Sequence, residues 1–265
     1  MPVVPTARTR PSGIRRVATV TDAGAEGRLP SEPAAVMTLV RAETPHGEVA
    51  LRRRGTVLEL VVDGTFAMDT VDTSTEVALA QRALADHRSP QRVLVGGLGL
   101  GMTARAVLAD PRVRHTDVVE LAAPLVGWAR SGLVTELAGL EGERCTLHVA
   151  DVLDVLTGRS EPRGPWDVVL LDVDNGPDFL VHASNAPLYE PAGLVAARSV
   201  LRPGGLLVVW SSHLAPGLLA ALREVAVGGD EVTEDVVPVE REGRSFRYAL
   251  YSLALGGSPT DRMTP

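Results

Sequence analysis

The chain has 265 residues, of which 45% are hydrophobic and 22% are charged. That length and balance are typical of one folded core with a minor appendage, and they exclude a wholly disordered chain. The formal net charge of −7 argues against a nucleic-acid partner, because an acidic surface repels phosphate backbones. The sequence contains no lysine, which excludes lysine Schiff-base chemistry and the lysine of a Walker phosphate loop.

Cysteine content and hydropathy predict a cytoplasmic protein. Cys145 is the only cysteine, so neither an internal disulfide nor a cysteine-rich metal site can form, and its apolar neighbours predict a buried residue. No stretch reaches the roughly 20 apolar residues that cross a bilayer, and the first residues lack an apolar signal core. We therefore expect no metal cofactor and no membrane partner.

The amino-terminal part of the chain changes texture near residue 36. Residues 1–35 mix Pro, Gly, Arg, Ala and Thr without a period and predict a mobile arm, and residues 257–265 are assigned to a tail. Residues 36–72 contain short alternating runs at 36–41, 48–53, 57–62 and 65–68. Asp63-Gly64 between two of these runs is a strong hairpin signal. This segment is predicted to form a small antiparallel β unit.

Residues 73–256 alternate between strand and helix patterns and are predicted to form one nucleoside-binding domain. Strands are expected at 92–96, 116–121, 145–149, 166–172 and 205–211. Helices are expected from Thr73 or Ser74 to before Pro90, near Gly101, Ala123, Val152 and Pro187, and at 215–225. Strands at 231–239 and 245–255 form an antiparallel edge. The fold class is therefore α/β, with a doubly wound, mostly parallel seven-stranded sheet.

A glycine-rich turn follows the first of these strands, with the sequence Gly96-Gly97-Leu98-Gly99-Leu100-Gly101-Met102. Glycines let the backbone approach a ligand, and the next helix adds free N–H groups. Glu120 ends the second strand about 20 residues later, where a carboxylate can accept both hydroxyls of a ribose. The segment predicts a nucleoside site that includes Gly97, Leu98, Gly99, Gly101, Glu120 and Leu121.

Two further strands end in carboxylates. Asp151, followed by Val152, could receive an adenine amino group, and it is equally placed to cap the next helix. Asp172 ends the fourth strand, and Asp174 and Asn175 follow it. Open α/β sheets bind ligands in the crevice at these strand ends, so the three carboxylates are expected to meet there.

Two residues beyond these strand ends, His182 and Tyr189, have two interpretations each. His182 and Tyr189 could face the same crevice, one as a base and one as a wall, or could be a loop histidine and a helix-packing tyrosine. Trp166 and Trp210 lie on strands and are interpreted as core residues.

The glycine turn also fits a dinucleotide fingerprint, because Gly99-Leu100-Gly101-Met102-Thr103-Ala104 reads G-x-G-x-x-A. A dehydrogenase is therefore an alternative. Asp151, the Arg202-Pro203-Gly204-Gly205 turn and the antiparallel pair at the end favour a fold of the class I methyltransferase type.

Residues 57–255 resemble the spermidine synthase family of aminopropyltransferases, which have that fold. The resemblance includes the hairpin at Val62-Asp63-Gly64, Glu120, Ala150-Asp151, the run from Trp166 to Asp172, and Leu201-Arg202-Pro203-Gly204-Gly205. It implies that Glu120 holds the ribose, Asp151 the adenine, and Asp172 is the catalytic acid/base. It also implies a role in polyamine biosynthesis and a homodimer formed through the small β unit.

Several residues depart from the pattern of that family. Leu100 replaces an aspartate that contacts the cationic tail of the nucleoside, Ala67 replaces a glutamine, and the usual Tyr and His are absent from Thr75-Glu76-Val77-Ala78. The D-x-x-D-P run reads Asp172-Val173-Asp174-Asn175-Gly176. With Asp172 as the one acid certain to lie near the tail, decarboxylated and intact S-adenosylmethionine are predicted to bind within about tenfold of each other.

The favoured function is transfer of an alkyl group from a sulfonium nucleoside, S-adenosylmethionine or its decarboxylated form, to a small amine acceptor. Asp172 is predicted to be the base or cation anchor, and Asp174, Asn175, His182 and Tyr189 are assigned to the acceptor side. A small-molecule methyltransferase and a non-catalytic nucleoside-binding protein remain as alternatives.

Overall fold

The computed structural model describes residues 35–241 and 243–256 of the chain. The mobile arm predicted for residues 1–35, apart from its last residue, and the tail at 257–265 lie outside the described residues.

A four-stranded antiparallel sheet opens the described chain, with the order β1-β2-β3-β4. Its strands are Val36–Thr44, Gly47–Arg54, Val57–Val62 and Thr65–Asp69. Asp63 and Gly64 join β3 to β4 with φ angles of 47° and 73°. Two positive φ angles are what a tight type I′ hairpin needs, so the Asp-Gly pair determines this turn. The predicted antiparallel unit is confirmed.

A second sheet has seven strands in the order β10-β11-β9-β8-β5-β6-β7. Strands β5 to β9 are parallel neighbours, and β11 pairs antiparallel with both β9 and β10. The strand bounds are Arg92–Gly96, His115–Glu120, Cys145–Val149, Trp166–Leu171, Leu201–Ser211, Glu231–Arg241 and Arg244–Ala254. The predicted mostly parallel sheet is confirmed. Strand β9 begins earlier than predicted, because Leu201 pairs with Trp166 before the register shifts.

Seven α-helices connect the strands in the described residues: Ser74–Asp86 (α1), Met102–Leu108 (α2), Ala123–Ser131 (α3), Val152–Leu156 (α4), Ala186–Tyr189 (α5), Pro191–Ser199 (α6) and Pro216–Val225 (α7). The helix predicted from Pro187 is two helices. Pro191, which has no backbone N–H, starts the second of them. None of the helices in the described residues is long and apolar enough to cross a membrane.

The strand order argues against the dehydrogenase alternative. A doubly wound dinucleotide-binding sheet has the order 3-2-1-4-5-6. Here the last strand, β11, is inserted between β9 and β10 and runs antiparallel to both. That insertion makes the last two strands one hairpin and is the topology expected from the terminal strand pair.

Both faces of the large sheet are buried. Val93, Val95 and Val118 point to one face, where α1 and the four-stranded sheet contribute buried residues such as Leu79 and Leu58. Alternate residues of the same strands belong to a second cluster, formed with residues of α4 to α7: Leu94, Val119, Val169 and Leu171. Burial on both faces explains why these strands are almost continuously apolar.

The carboxylate of Asp117 links four neighbouring strands, β5 to β8. Asp117, which is 3% exposed, accepts hydrogen bonds from Trp166 Nε1 at 2.9 Å and from Arg92 at 3.1 Å, and its other oxygen lies 3.0 Å from His148 Nε2. Burial favours a raised pKa for Asp117, but the hydrogen bonds from Trp166 and His148 and the charge of Arg92 outweigh it and lower the pKa. The ionised carboxylate is therefore part of the fold.

Asp117→Ala is expected to lower the free energy of unfolding by about 3 to 5 kcal/mol, because it leaves buried donors without an acceptor. Since the pKa of Asp117 is lowered by folding, its contribution is present at neutral pH and is lost as the pH falls below 3.8. Denaturant unfolding at pH 7 and pH 3 measures both effects.

Asp154→Ala is the matched control, because Asp154 pairs with Arg159 at the surface with 44% of its side chain exposed. Its loss should cost less than about 1 kcal/mol. Equal destabilisation by the two variants would show that the buried network contributes no more than a surface ion pair.

Candidate functional site

A cavity lies at the carboxyl ends of the central strands, where β5, β6, β7 and β8 end next to the four-stranded sheet. Its wall contains ten of the residues predicted from the sequence: Gly97, Gly99, Glu120, Leu121, Asp151, Val152, Asp172, Asp174, Asn175 and His182. Leu98, Gly101 and Tyr189 were also predicted and do not line it. The fold thus brings together most of the candidate site.

The glycine turn forms the floor of the cavity and leaves no room for side chains. A Cβ atom on Gly97, whose φ is 95°, would lie 2.1 Å from the carbonyl oxygen of Asp172. A Cβ on Gly99 would lie 2.7 Å from Met68 Sδ. Gly101 has a different role, since it caps α2 and faces Leu137 rather than the cavity. The exposed backbone at the first two glycines is suited to close contact with a ligand.

Glu120 is held by the turn itself. One carboxylate oxygen accepts a hydrogen bond from the Leu98 N–H at 2.9 Å, and the other accepts one from the Ala122 N–H at 2.7 Å. Leu98 therefore contributes a backbone group, while its side chain is buried. Burial raises the pKa of Glu120 against the lowering effect of these bonds. A carboxylate has about four lone-pair sites, so both oxygens can still accept ligand hydroxyls.

Asp151 fulfils the structural role that the sequence left open. Its Oδ1 accepts a hydrogen bond from the Leu153 N–H at 2.8 Å and caps α4. The same side chain lines the cavity together with Val152. Capping fixes the carboxylate in one position, so the two interpretations from the sequence are compatible.

Asp172 lies where β8 ends, beside the glycine turn. Its backbone N–H donates to the Gly96 carbonyl at 2.9 Å, and its Oδ2 accepts a 2.5 Å hydrogen bond from Thr103 Oγ1. Burial of the carboxyl group and the nearby negative charge of Glu76 raise the pKa of Asp172 to about 7, although the Thr103 bond opposes them. A group with that pKa can take up and release a proton near neutral pH.

Several polar residues in or beside the site were missed by the sequence interpretation, among them Asn185, which lines the cavity. Glu76, in the first turn of α1, lines the cavity, and Thr75 Oγ1 donates to its Oε2 at 2.7 Å. Burial is the largest cause of the raised pKa of Glu76, with Asp72 and Asp69 adding to it. Thr103, which holds Asp172, was missed as well. Acidic residues are common in the first turn of a helix because they interact favourably with the helix dipole. The position of Glu76 in the sequence therefore gave no sign of a role in the site.

Asp174 is occupied by its own loop. Its carboxylate accepts hydrogen bonds from the Val181 N–H at 2.9 Å and from Asn185 Nδ2 at 2.9 and 3.1 Å. Its φ of 57° is positive, so these bonds stabilise an unfavourable backbone conformation. The Asp174 side chain therefore links the two ends of the loop from Asp174 to Asn185.

Tyr189 packs away from the cavity, as its helix-packing interpretation requires. It is buried, and its hydroxyl group donates to the Val173 carbonyl at 2.5 Å. It positions the segment that carries Asp174 from behind.

His182 and Asn175 face the cavity from this loop. The His182 ring lies 5.9 Å from the ring of His46, which precedes β2, in an edge-on contact. Asn175 is fixed by its backbone, because its carbonyl accepts hydrogen bonds from Ser212 N at 3.2 Å and Ser212 Oγ at 2.6 Å. The loop thus contacts the four-stranded sheet on one side and the segment after β9 on the other.

Trp210 was interpreted as a core residue, which is correct for its burial but incomplete. It is 7% exposed and also lines the cavity. Its indole nitrogen is buried with no hydrogen-bond partner among the described residues. An unpaired buried donor costs roughly 1 to 3 kcal/mol, which favours a site that a ligand completes. The rest of this wall is apolar: Val49, Leu60, Val62, Ala67 and Met68.

Cys145 is not among the residues that line the cavity. Cys145 is buried, and burial raises the pKa of its thiol to about 12, as expected for an inert residue. Within residues 35–241 and 243–256, no group of three or more His, Cys, Asp or Glu side chains is placed to hold a metal ion.

Comparison with known proteins identifies the family. The profile of the spermine/spermidine synthase domain matches residues 73–218, which is more than half of the chain. A polyamine aminopropyltransferase of Mycobacterium tuberculosis is 33% identical over 165 residues, covering 61% of this chain and 30% of that protein. Polyamine aminopropyltransferase 2 of Pseudomonas aeruginosa is 34% identical over 159 residues, covering 57% of this chain and 42% of that protein. The matches thus span less than half the length of these two relatives.

Solved structures support the fold. A crystal structure of spermidine synthase in complex with the transition state analogue AdoDATO superposes with a TM-score of 0.67 and 17% sequence identity, covering 86% of this chain and 77% of that chain. Such low identity supports a common fold, while the sequence profile carries the assignment. The chain belongs to the spermine/spermidine synthase family.

Proposed function

We propose that this protein transfers an aminopropyl group from decarboxylated S-adenosylmethionine to a small amine. The observation that carries the proposal is the position of Asp172, whose buried carboxyl group lies beside the glycine turn in a cavity that Glu76, Glu120 and Asp151 also line. Of the basic side chains in the described residues, His182 alone lines this cavity. An acidic cavity of this kind favours cationic ligands.

The nucleoside half of the donor would occupy the glycine turn. Glu120 would accept the ribose hydroxyls, and Asp151 would accept the adenine amino group, with Leu121 and Val152 against the base. Gly97 and Gly99 leave the backbone open to the ligand. Both carboxylates are already fixed by backbone N–H groups, so little side-chain entropy is lost on binding.

Asp172 would serve the acceptor. The sulfonium donor supplies an activated carbon, so that a carbon–nitrogen bond forms, the carbon–sulfur bond breaks with its electron pair on sulfur, and one proton leaves the amine. The protein aligns the nitrogen and receives that proton. Asp172 fits this role because its pKa of about 7 matches a neutral working pH. Asn175 and His182 face the acceptor side of the cavity.

A methyltransferase is the second candidate, and the burial of Leu100 favours it. The Leu100 side chain is 0% exposed and belongs to the hydrophobic core, so the glycine turn itself brings no charge to the ligand tail. Intact S-adenosylmethionine, whose tail carries a carboxylate, would meet less repulsion at such a turn.

The domain boundary, the cellular location and the oligomeric state are also part of the proposal. We place the domain boundary between residues 72 and 73 and the protein in the cytoplasm. A homodimer through the four-stranded sheet, without nucleic acid or membrane, completes the expected arrangement.

Turnover with the two donors separates the candidate functions. Incubation with decarboxylated S-adenosylmethionine and a diamine should release methylthioadenosine, whereas intact S-adenosylmethionine should release little S-adenosylhomocysteine. Product chromatography measures both. Release from the intact donor alone would identify a methyltransferase, and release from neither donor would leave a nucleoside-binding protein.

Glu120→Gln is expected to weaken methylthioadenosine binding by about 1 to 3 kcal/mol, because an amide offers one acceptor oxygen where the carboxylate offers two. Calorimetric titration measures the change. Glu224→Gln, the same substitution on the exposed surface of α7, is the control and should bind like the wild type. Equal binding by Glu120→Gln and the control would place the ribose elsewhere.

Asp172→Asn should lower kcat by at least about a hundredfold while methylthioadenosine still binds, because the base is lost and the nucleoside contacts remain. In the wild type kcat/KM should rise with pH up to about 7, because this ratio reports the pKa of Asp172 in the free protein. Steady-state rates from pH 5.5 to 8.5 measure this profile.

The unfolding temperature controls for damage to the Asp172→Asn variant. Folding raises the pKa of Asp172, so the ionised form destabilises the empty protein above pH 7. The variant should therefore unfold at pH 8 at no lower a temperature than the wild type. Full activity in a folded Asp172→Asn variant would exclude this residue as the base.

A further inference from the structure

The glycine turn delivers a ligand towards two carboxyl groups. Gly97 lies against the Asp172 carbonyl, and Met68 Sδ, on the same cavity wall, lies 3.2 Å from the Leu100 N–H. Glu76 lines the cavity only a few residues further along the chain, in the first turn of α1. Asp172 and Glu76 thus line one cavity with the glycine turn, and Glu76 lies close enough for its charge to act on Asp172.

We propose that Glu76 and Asp172 act as one pair, in which Glu76 binds the terminal ammonium group of the donor's aminopropyl chain and Asp172 beside it ionises and stays available as the base for the acceptor. This inference rests on the proposed function and assigns the donor specificity of the site to a residue outside the glycine turn. It also corrects the expectation from the sequence that Asp172 is the one acid near the tail, because Glu76 supplies a second.

Each member of the pair is held in place by a threonine hydroxyl group. Thr75 Oγ1 donates to Glu76 at 2.7 Å, and Thr103 Oγ1 donates to Asp172 at 2.5 Å. Each of these hydroxyl groups satisfies one oxygen of its carboxyl group and brings no positive charge. The negative charge of the pair is thus oriented but not neutralised.

The charged surroundings of the pair are acidic on almost every side. Asp69 and Asp72 act on Glu76 from the segment between β4 and α1. Glu120 and Asp151 face the cavity from the ends of β6 and β7. The charge of Asp172 also helps to raise the pKa of Tyr189 in α5. The loop after β8 contributes Asp174, whose carboxylate is bound to its own loop, and His182, which acts on Glu120 and Asp174.

Two like charges in a partly buried site resist ionising together, so an empty pair retains proton at neutral pH. The raised pKa values of Glu76 and Asp172 agree with this arrangement. A bound ammonium group removes the repulsion and lets both groups ionise. Binding of the donor should therefore release a proton.

Trp210 provides an independent observation on the same cavity. Its indole nitrogen is buried and has no hydrogen-bond partner among the described residues, while its ring packs at 5.6 Å from the ring of Tyr248. The indole N–H can donate to an acceptor atom of a ligand, and the carboxyl groups of the cavity lie together with aliphatic side chains in its lining. That combination suits an alkyl chain that ends in a charged amine.

Calorimetric titration with three nucleosides tests the pair. Decarboxylated S-adenosylmethionine carries only an ammonium group on its tail, intact S-adenosylmethionine adds a carboxylate, and methylthioadenosine carries no charge. Glu76→Gln keeps the shape of the side chain and an acceptor for Thr75. It should bind the decarboxylated nucleoside about tenfold more weakly and methylthioadenosine as well as the wild type does. The preference for the decarboxylated over the intact nucleoside should fall with it.

Proton release is the second readout. Titrations at pH 7 in two buffers of different ionisation enthalpy report the protons lost on binding. The wild type should lose about half a proton with the decarboxylated nucleoside, since the pKa of Asp172 is about 7, and none with methylthioadenosine. Glu76→Gln should lose fewer, and Glu224→Gln should match the wild type.

Each outcome decides between separate claims. Equal affinity of wild type and Glu76→Gln for the decarboxylated nucleoside would overturn the pair and leave the proposed function standing if turnover persists. Equal loss of all three ligands would show that Glu76 supports the nucleoside site in general, which also overturns the pair. Failure of the wild type to bind any of the three would overturn the proposed function itself.

Discussion

The closest backbone approach at the site lies where β5 leaves the sheet beside the end of β8. Gly96 accepts a hydrogen bond from the Asp172 N–H, Gly97 donates to the Val119 carbonyl, and a side chain at Gly97 would collide with the Asp172 carbonyl. This packing of three strand ends fixes the glycine turn and Asp172 relative to each other. The proposed nucleoside site and the proposed reaction site therefore share one support.

The acidic groups of the cavity are of two kinds, which differ in the groups that donate hydrogen bonds to them. Glu120 and Asp151 accept hydrogen bonds from backbone N–H groups, so they serve the local structure even in the empty protein. Glu76 and Asp172 accept hydrogen bonds from the hydroxyl groups of Thr75 and Thr103, and the Glu76 carboxylate is also bound by its own backbone N–H. We infer that Glu120 and Asp151 bind the uncharged nucleoside and that Glu76 and Asp172 interact with a cationic group.

The departures from the family pattern have a common physical consequence. Leu100 is fully buried in the core, which removes charge from the turn, while Glu76 brings a carboxylate from the facing helix. A cationic ligand responds to the charge in its surroundings and not to the chain position that supplies it. The cavity is thus more acidic than a comparison of motifs indicates.

The sequence by itself determined the strand and helix alternation, the Asp63-Gly64 hairpin and the strand ends that carry Glu120, Asp151 and Asp172. These features depend on local periodicity and turn chemistry, which a single sequence displays. Only the tertiary structure decided that Glu76 and Trp210 face the cavity, that Tyr189 does not, and that the carboxylate of Asp174 binds its own loop. The reason is physical: which way a side chain points, and what neutralises its charge, depend on elements far away in the chain that meet it only after folding.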